Sequence, residues 1–458
     1  METHTSTVIQ NESAGTLTFW QRNRLIIKAI FIGILILALL IPTAFIIYLV
    51  NERQERKGEV VHEISNKWSA AQTISGPYIS VPYFINDNNN PKTPAVKKYL
   101  YLLPEQLNIN STIATETRYR SIYKVPVYTA DILLQGKFEN NKLNKLNIPL
   151  QEIRWHEASL CIGLSDFKGI SEEIHIKRND SIYPFEIGLP ENDLLLTGVS
   201  AAFPLSVNNI MDESSFSIRL KLKGSQKIHF TPLGSTTQVR MQSSWKDPAF
   251  DGKFLPDSHR INTNGFSANW NILHFNRSFP QQFTSGSINN LQLSESSFGI
   301  NFLQPVDAYT QTMRSVKYAI LIISLTFFIY FFIEIFQSKS VHPLQYILIG
   351  FALVIFYTLL LSISEYTSFP IAYVISAFAT ISLITWYTKS IFKKWSIAIT
   401  FSLLLSLLYL FIYVLIQLQD NALLFGSIGL FILLAAVMYF SRKIDWYNTR
   451  DYSLNPLV

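Results

Sequence analysis

Six long apolar runs constrain this chain more than any other feature of its sequence. A helix that crosses a hydrocarbon core of about 30 Å needs about 20 residues, because each residue advances about 1.5 Å. Only 15% of the 458 residues are charged and 48% are hydrophobic. We therefore predict a polytopic α-helical membrane protein with six spans, at Leu25–Val50, Val316–Phe336, Tyr346–Ile363, Phe369–Tyr387, Trp395–Ile416 and Ala422–Phe440.

The first apolar run has two interpretations. A cleavable signal peptide has an apolar region of about 7–15 residues followed by a small-residue cleavage site. The run in this chain is longer, and no such site precedes Asn51. We predict an uncleaved membrane helix and keep a signal peptide as the alternative.

Lysine and arginine residues predict the orientation of the spans, since short loops rich in these residues stay in the cytoplasm. The short loops at 365–368 and 417–421 contain neither residue, whereas the loops on the side of the N-terminus contain several. Both termini are therefore predicted to be cytoplasmic. The cations on that side are Arg22, Arg24, Lys28, Lys339, Lys389, Lys393, Lys394, Arg442, Lys443 and Arg450.

The distribution of charge predicts what the chain contacts. Residues 51–312 contain 26 of the 38 Lys and Arg and 25 of the 32 Asp and Glu, so the excess positive charge flanks the membrane segments. This pattern favours anionic lipid over nucleic acid as a partner. The predicted organisation is a cytoplasmic tail (1–24), a first membrane helix (25–50), a periplasmic β-rich domain with an N-terminal amphipathic helix (51–313), a five-helix bundle (314–440) and a second cytoplasmic tail (441–458).

The stretch after the first span continues as a helix. Val60, Val61, Ile64 and Trp68 recur every three or four residues, which is the period of one helix face. The sequence Ser-Gly-Pro at 75–77 predicts the end of this helix, because Gly and Pro interrupt helical structure. We predict that this face packs on the domain that follows; a helix lying on the membrane surface is the alternative.

Beyond residue 77 the hydrophobic period changes to two. Phe216, Ile218, Leu220 and Leu222 alternate with polar residues, the pattern of a strand with one buried face. We predict a large, mainly antiparallel β domain, arranged as a sandwich or barrel, with a short helix within 190–202. Further strands are predicted at 77–85, 99–104, 123–138, 173–178, 236–245, 266–275 and 298–303, and turns at 86–94, 138–144, 231–234 and 246–252.

Sequence motifs for catalysis are lacking. There is no GxSxG, P-loop, HExxH, EF-hand or GxGxxG pattern. The eight histidines do not stand at metal-ligand spacing on a shared helix face, and a single cysteine, Cys161, excludes an intramolecular disulfide. We predict a protein without enzymatic activity, cofactor or metal.

Two carboxylates lie in or at the end of the predicted spans, where ionisable residues are candidates for function. Glu334 lies near the cytoplasmic end of the second span and Glu365 near the opposite end of the third. Both lie near an interface, where a carboxylate can reach water, so we predict interfacial or helix-packing carboxylates and keep a gating or proton-linked role as the alternative. Ala372, Ser376 and Thr380 recur every four residues and predict a small-residue face for close helix packing.

Long blocks of the chain, at 52–83, 243–256, 265–281, 305–334, 342–387 and 445–447, resemble the CreD family of inner membrane proteins. The residues that match its motifs have no known role and are Glu334, His342, Pro343, Gln345, Tyr346, Glu365, Asp445, Trp446 and Tyr447. Since Pro is tolerated in a first helical turn, His342 and Pro343 predict the start of the third span. The family has His where this chain has Tyr366, which argues against a Glu–His proton relay common to all members.

The resemblance implies a protein of the bacterial inner membrane that is associated with envelope integrity and expressed under a two-component system. It implies no catalytic activity. A non-enzymatic envelope protein is therefore our leading hypothesis, and a transporter that handles lipid or envelope precursors is the alternative. A membrane enzyme that uses Glu334, Glu365 or His342 ranks last. The predicted partners are the lipid bilayer and other envelope proteins, and the oligomeric state stays open.

Overall fold

The computed structural model describes residues 24–85, 95–139, 148–178, 181–205, 214–302, 308–337, 339–418 and 421–442. Two compact units divide the chain. The membrane unit comprises the described residues of Met1–Glu55 and Val306–Val458, and the β unit comprises those of Arg56–Pro305.

Six helices in the described residues are long and apolar enough to cross a membrane, which confirms the predicted fold class. Two shorter α-helices accompany them. The bounds are α1 Arg24–Trp68, α2 Asn290–Glu295, α3 Ala308–Lys317, α4 Ala319–Phe336, α5 Pro343–Ser364, α6 Phe369–Phe392, α7 Trp395–Gln417 and α8 Ala422–Ser441. Of these, α2 and α3 are the short ones.

Helix α1 packs on the membrane unit through one stripe of its surface. Leu35, Leu39, Ile46 and Val50 are buried at spacings of four, seven and four residues, which places them on one face. The other faces carry exposed apolar side chains such as Phe45, as a lipid-facing helix surface does.

The second predicted span differs from the structure at its start. The sequence predicts a continuous helix over Val316–Phe336, whereas in the structure the helix is interrupted at Tyr318, between α3 and α4. Helix α3 is amphipathic and buries Tyr309, Thr312, Ser315 and Val316 on one face. Because α3 contains polar residues, it does not form an apolar run and is not predicted from one.

The β unit lies between α1 and α3 in sequence and is mainly antiparallel, as predicted. Its described residues form an eight-stranded sheet in the order β14-β15-β12-β3-β4-β10-β6-β7, and a nine-stranded sheet with the path β13-β17-β11-β1-β5-β9-β8, to which β2 and β16 add beside β1. The strands are β1 Gln72–Ile85, β2 Val96–Leu102, β3 Gln106–Arg120, β4 Tyr123–Phe138, β5 Ser159–Leu164, β6 His175–Arg178, β7 Ser181–Pro184, β8 Glu186–Ile187, β9 Gly198–Ala202, β10 Ser214–Ser225, β11 Lys227–Thr231, β12 Thr236–Ser243, β13 Pro248–Gly252, β14 Ser258–Asn262, β15 Gly265–Leu273, β16 Gln282–Thr284 and β17 Phe298–Phe302.

One hydrophobic core joins the two sheets, so the β unit is a sandwich. Ile218, Leu220 and Leu222 of β10 are fully buried in it, which confirms the alternation seen in the sequence. Ile79 and Phe230 of the nine-stranded sheet lie in the same core. Each such side chain stabilises the fold by about 1.5–3 kcal/mol when it leaves water.

The predicted end of the amphipathic helix is wrong. Helix α1 ends at Trp68, and Ser75, Gly76 and Pro77 lie inside β1, where its pairing with β5 shifts register. Asp166 binds the residues that follow the helix. Its Oδ2 accepts hydrogen bonds from the backbone N–H of Ala70 at 2.8 Å and from the Ser69 hydroxyl at 3.2 Å. A side chain nearly 100 residues away therefore terminates the helix.

Two further local predictions are wrong. Residues 248–252, predicted as a turn, form β13, an edge strand that pairs with β17. The segment 190–202 contains β9 instead of a helix, and β9 pairs with β5 over Gly198–Ala202. In both segments pairing to another strand overrides the local prediction, a turn in the first and a helix in the second. The turn predicted at 86–94 lies outside the described residues, as does most of that at 138–144.

Candidate functional site

Glu334 lies at the centre of a polar group inside the membrane unit. It occupies the last turn of α4 and only 6% of the residue is exposed. Lys28 of α1 forms an ion pair with Glu334 Oε1. We name Lys28, Glu334, Val341 and Tyr346 the lysine–glutamate cluster.

Hydrogen bonds occupy both oxygens of the Glu334 carboxylate. Besides the Lys28 ammonium, Oε1 accepts the backbone N–H of Val341 at 2.9 Å, and Oε2 accepts the Tyr346 hydroxyl at 2.7 Å. Lys28 also donates to the carbonyl of Val341 at 2.7 Å and lies 5.5 Å from the centre of the Tyr346 ring. The charge pair is thus hydrogen-bonded throughout, as buried ions require.

The motif His-Pro-x-Gln-Tyr explains how Tyr346 reaches Glu334. His342 is the N-cap of α5: its Nδ1 accepts the N–H of Leu344 at 3.2 Å, while its own N–H donates to Gln345 Oε1 at 3.1 Å. This is a capping box, and Pro343 occupies the first helical position, where no N–H is needed. The cap sets where α5 begins and thereby the place of Tyr346 in its first turn, which confirms His342 and Pro343 as a helix start.

A second polar group lies at the other end of α5. Glu365 caps that end, and its Oε1 accepts the Tyr309 hydroxyl of α3 at 3.2 Å. Arg53 of α1 lies 3.7 Å from the same oxygen. The side chain of Glu365 is 11% exposed and that of Arg53 is 45% exposed. We name Arg53, Tyr309 and Glu365 the arginine–glutamate cluster.

Both clusters join α1 to the rest of the membrane unit. Lys28 and Arg53 stand 25 residues apart on α1, which is about 37 Å of helix. Of the two predicted roles, the contacts favour helix packing over exposure at an interface, because each carboxylate is mostly buried against a cation and a tyrosine from other helices.

Lys28 and Arg53 are partners of the carboxylates that the sequence did not predict. Lys28 contributed only to the predicted orientation of the spans. A buried carboxylate in a span requires a counter-charge, and Lys28, at the start of an apolar run on the same predicted side as Glu334, was the available signal. For Arg53 no sequence signal distinguishes it from its charged neighbours.

The other predicted residues have different outcomes. Asp445, Trp446 and Tyr447 lie outside the described residues. Ala372, Ser376 and Thr380 are all buried on α6. Within the described ranges, no group of three or more His, Cys, Asp and Glu is arranged to hold a metal ion.

The β unit presents an open groove where β12 ends and β15 begins, beside the middle of β3. Its lining includes the polar residues Thr112, Gln242 and Ser267. Between the sheets, side chains from both sides form the continuous core described above.

Comparison with known proteins gives consistent matches along the chain. The family model described as "Inner membrane protein CreD" matches residues 24–447, which include both clusters. A curated relative, "Inner membrane protein CreD" of Escherichia coli (strain K12), is 30% identical over 419 residues. The match covers 90% of this chain and 91% of the relative.

Proposed function

Because the chain belongs to the CreD family of inner membrane proteins, we propose that it is a non-enzymatic envelope protein. In this proposal the membrane unit is a scaffold that holds the β unit in the periplasm, and the protein contributes to envelope integrity under stress. Membership of an inner membrane family and six candidate spans support a multi-pass protein of that membrane.

One observation carries the non-enzymatic part of the proposal. The carboxylates Glu334 and Glu365 are engaged by cations and tyrosines that attach α1 to the bundle. His342 is engaged as a helix cap. A group that acts as acid, base or nucleophile needs access to substrate, and these three side chains are occupied by structural contacts.

The orientation is supported by where the cations meet. Lys28, Lys339 and Lys389 lie on the same side of the membrane unit: Lys28 contacts Glu334 beside the loop of Lys339, and the Lys339 ammonium donates to the carbonyl of Ile391, two residues after Lys389. Under the positive-inside rule this side is cytoplasmic. The β unit, which follows the opposite end of the first span, is then periplasmic.

A deletion strain tests the proposal. We expect loss of the gene to increase sensitivity to detergents and to antibiotics that act on the envelope, and we expect the wild-type gene on a plasmid to restore resistance. Equal sensitivity of the deletion and parent strains under envelope stress would reject a role in envelope integrity.

Complementation by substituted genes separates scaffold from enzyme. Glu365→Gln keeps a hydrogen-bond acceptor for Tyr309, and His342→Asn keeps a capping side chain. We expect both variants to restore resistance as well as the wild type does at matched protein levels. If either one accumulates normally in the membrane yet fails to complement, a chemical role of that side chain replaces the scaffold proposal.

The structure of the β unit argues against a transporter in which this unit accepts the ligand. A β unit that accepts an apolar ligand between its sheets needs an elongated apolar cavity there. The core of the sandwich is instead filled by side chains of both sheets, including Ile109, Leu134 and Ile162.

A further inference from the structure

Three helices of the membrane unit bring hydroxyl groups to the same depth. Tyr357 lies eight residues before Glu365 at the end of α5, Ser376 lies seven residues into α6, and Tyr409 lies eight residues before the end of α7. Short connections join these helices, so the three ends are on one side, and each hydroxyl-bearing residue is about 12 Å from that side. We name Tyr357, Ser376 and Tyr409 the hydroxyl cluster.

Ring contacts join the three helices near these hydroxyls. The ring of Phe356 lies 4.9 Å from that of Tyr357, 4.8 Å from that of Tyr409 and 5.5 Å from that of Tyr373. Tyr373 precedes Ser376 by one helical turn and donates its hydroxyl to the carbonyl of Tyr409 at 2.8 Å. The three helices therefore meet at this level.

The hydroxyls of the cluster are buried and lack hydrogen-bond partners within the described residues. Tyr357 and Ser376 are completely buried, and Tyr409 is 2% exposed. The amphipathic helix α3 adds two groups of the same kind, since Thr312 and Ser315 are also completely buried and have no partner among those residues. Helix α3 packs against α5, α6 and α7.

Other hydroxyls of the same bundle show that this arrangement is not general. Thr326 donates to the carbonyl of Ile322 at 2.6 Å and Thr388 donates to that of Ile384 at 2.7 Å. Such a bond to the preceding turn is the usual solution for Ser and Thr in a helix. Ser376 is helical and equally buried, yet its hydroxyl has no such bond among the described residues.

We propose that the hydroxyl cluster binds internal water within the membrane unit. A buried hydroxyl without a hydrogen-bond partner destabilises the folded state. Solvent cannot supply that partner from the bilayer core, because the hydrocarbon contains no water. Buried water typically makes two to four hydrogen bonds to polar groups that the protein leaves unsatisfied. The cluster supplies three such hydroxyls from three helices and α3 supplies two more, and all five are neutral, which selects a neutral ligand that both donates and accepts.

X-ray radiolytic footprinting of the full-length chain in lipid nanodiscs tests the proposal. Hydroxyl radicals that form from a bound water oxidise side chains beside it even when bulk solvent does not reach them. Tyr128 of the β unit is the matched control, since it is 1% exposed and its hydroxyl donates to the carbonyl of Lys227 at 2.7 Å. We expect Tyr357 and Tyr409 to be oxidised several-fold faster than Tyr128. Oxidation of both at the rate of Tyr128 would overturn the proposal.

A variant gives a second readout. Tyr357→Phe removes one hydroxyl and leaves the ring in place, and Thr388→Val serves as a control that removes a satisfied one. If water binds Tyr357, we expect the melting temperature of Tyr357→Phe to be equal to or lower than that of the wild type. The same result is expected for Thr388→Val. A rise in melting temperature would mean that the hydroxyl is dry and would contradict the proposal. The footprint of the unaltered chain decides the question even if a variant fails to fold.

Discussion

Glu334 shows how a single charged residue is accommodated in an apolar environment. Moving one ion out of water costs several kcal/mol even after the protein relaxes, and a partner offsets that cost only when the remaining hydrogen-bond sites are also filled. Lys28, Val341 and Tyr346 fill them here. The cluster therefore stabilises α1 against α4 and α5 only while it is complete.

Breaking this cluster has a predictable cost. Glu334→Gln leaves the Lys28 ammonium buried without a counter-charge, and we expect a loss of about 3–5 kcal/mol in unfolding free energy. Adding Lys28→Met to the same chain removes the stranded charge, so the double variant should be more stable than Glu334→Gln alone. Denaturant unfolding in detergent micelles measures both.

The control for that experiment is the exposed pair Arg56–Glu59, in which both side chains are more than 60% exposed. Glu59→Gln should change stability by less than about 1 kcal/mol. Equal losses for Glu59→Gln and Glu334→Gln, or a double variant less stable than both single ones, would contradict the account of a buried pair.

His229 of β11 gives the β unit a dependence on pH. Burial, together with the nearby charge of Lys227, lowers the pKa of His229 from 6.5 to about 4 in spite of Asp251. Between pH 4 and 6.5 the unfolded chain therefore binds more protons than the folded one, so stability is lost as the pH falls through this window. The loss is at most about 3 kcal/mol.

His229→Gln should remove this contribution. We expect the melting temperature of the variant to fall less between pH 6.5 and pH 4 than that of the wild type, whatever its value at pH 7. His156→Gln is the control, because the His156 side chain is 69% exposed. Parallel pH profiles of His229→Gln and the wild type would refute the assignment.

At the level of whole elements, the contact of α1 with α5 depends on one glycine. A Cβ atom built on Gly350 would lie 2.3 Å from Leu39 Cδ1 and 3.1 Å from the Phe327 ring. Gly350 therefore forms a notch that receives the Leu39 side chain. The ion pair of Lys28 and the contact of Arg53 with Glu365 hold α1 on either side of this notch.

Gly350→Ala should disturb this contact. We expect a destabilisation of about 1–3 kcal/mol, because the added methyl group overpacks the interface. Leu39→Ala in the same chain should recover part of the loss, which thermal unfolding in detergent would show as a non-additive effect.

Gly33 of α1 is the matched control, since a Cβ there meets no atom within 4 Å. Gly33→Ala should be neutral or slightly stabilising, because Ala has the higher helix propensity. A larger loss for Gly33→Ala than for Gly350→Ala would exclude the notch.

For the molecule as a whole, the lone cysteine is useful in a test of orientation. Burial raises the pKa of Cys161 to about 12, and the residue is fully buried in the β unit, so its thiol reacts slowly. New cysteines can therefore report on topology without removal of the native one. Lys253 in the β unit and Ser390 near the end of α6 are both exposed positions.

Labelling of intact cells made permeable only in the outer membrane tests the topology. We expect a membrane-impermeant maleimide to modify Lys253→Cys in such cells, and Ser390→Cys only after the inner membrane is opened. The wild-type chain, with Cys161 alone, is the control and should stay unlabelled. The reverse pattern at the two positions would place the β unit in the cytoplasm.

The sequence predicts the presence of helices and strands better than it predicts where they begin and end. The six spans follow from hydrophobic runs of sufficient length, and β10 follows from strict alternation, since these periods are properties of a segment by itself. The ends of elements did not follow in the same way. Helix α1 ends through the contact of Asp166 with Ala70, and β13 exists through its pairing with β17, so both depend on residues distant in sequence.

The candidate site shows the same division. Local residues alone predicted that His342 and Pro343 start a helix, because a cap and a first-turn proline act within one turn. The sequence also marked Glu334 and Glu365 as unusual, since charge is scarce in membrane spans. It did not pair them with Lys28 and Arg53, which lie about 300 residues earlier in the chain.

What the amino-acid sequence by itself determined is therefore the number of spans, the insertion of a β domain after the first, and the residues that stand out chemically. These features arise from the partition of side chains between water and lipid, which each segment undergoes independently. The tertiary structure alone decided that both carboxylates hold α1 to the bundle and that buried hydroxyls of three helices lie at a similar depth. Such contacts depend on which faces of separate helices meet, and packing of the whole unit sets that.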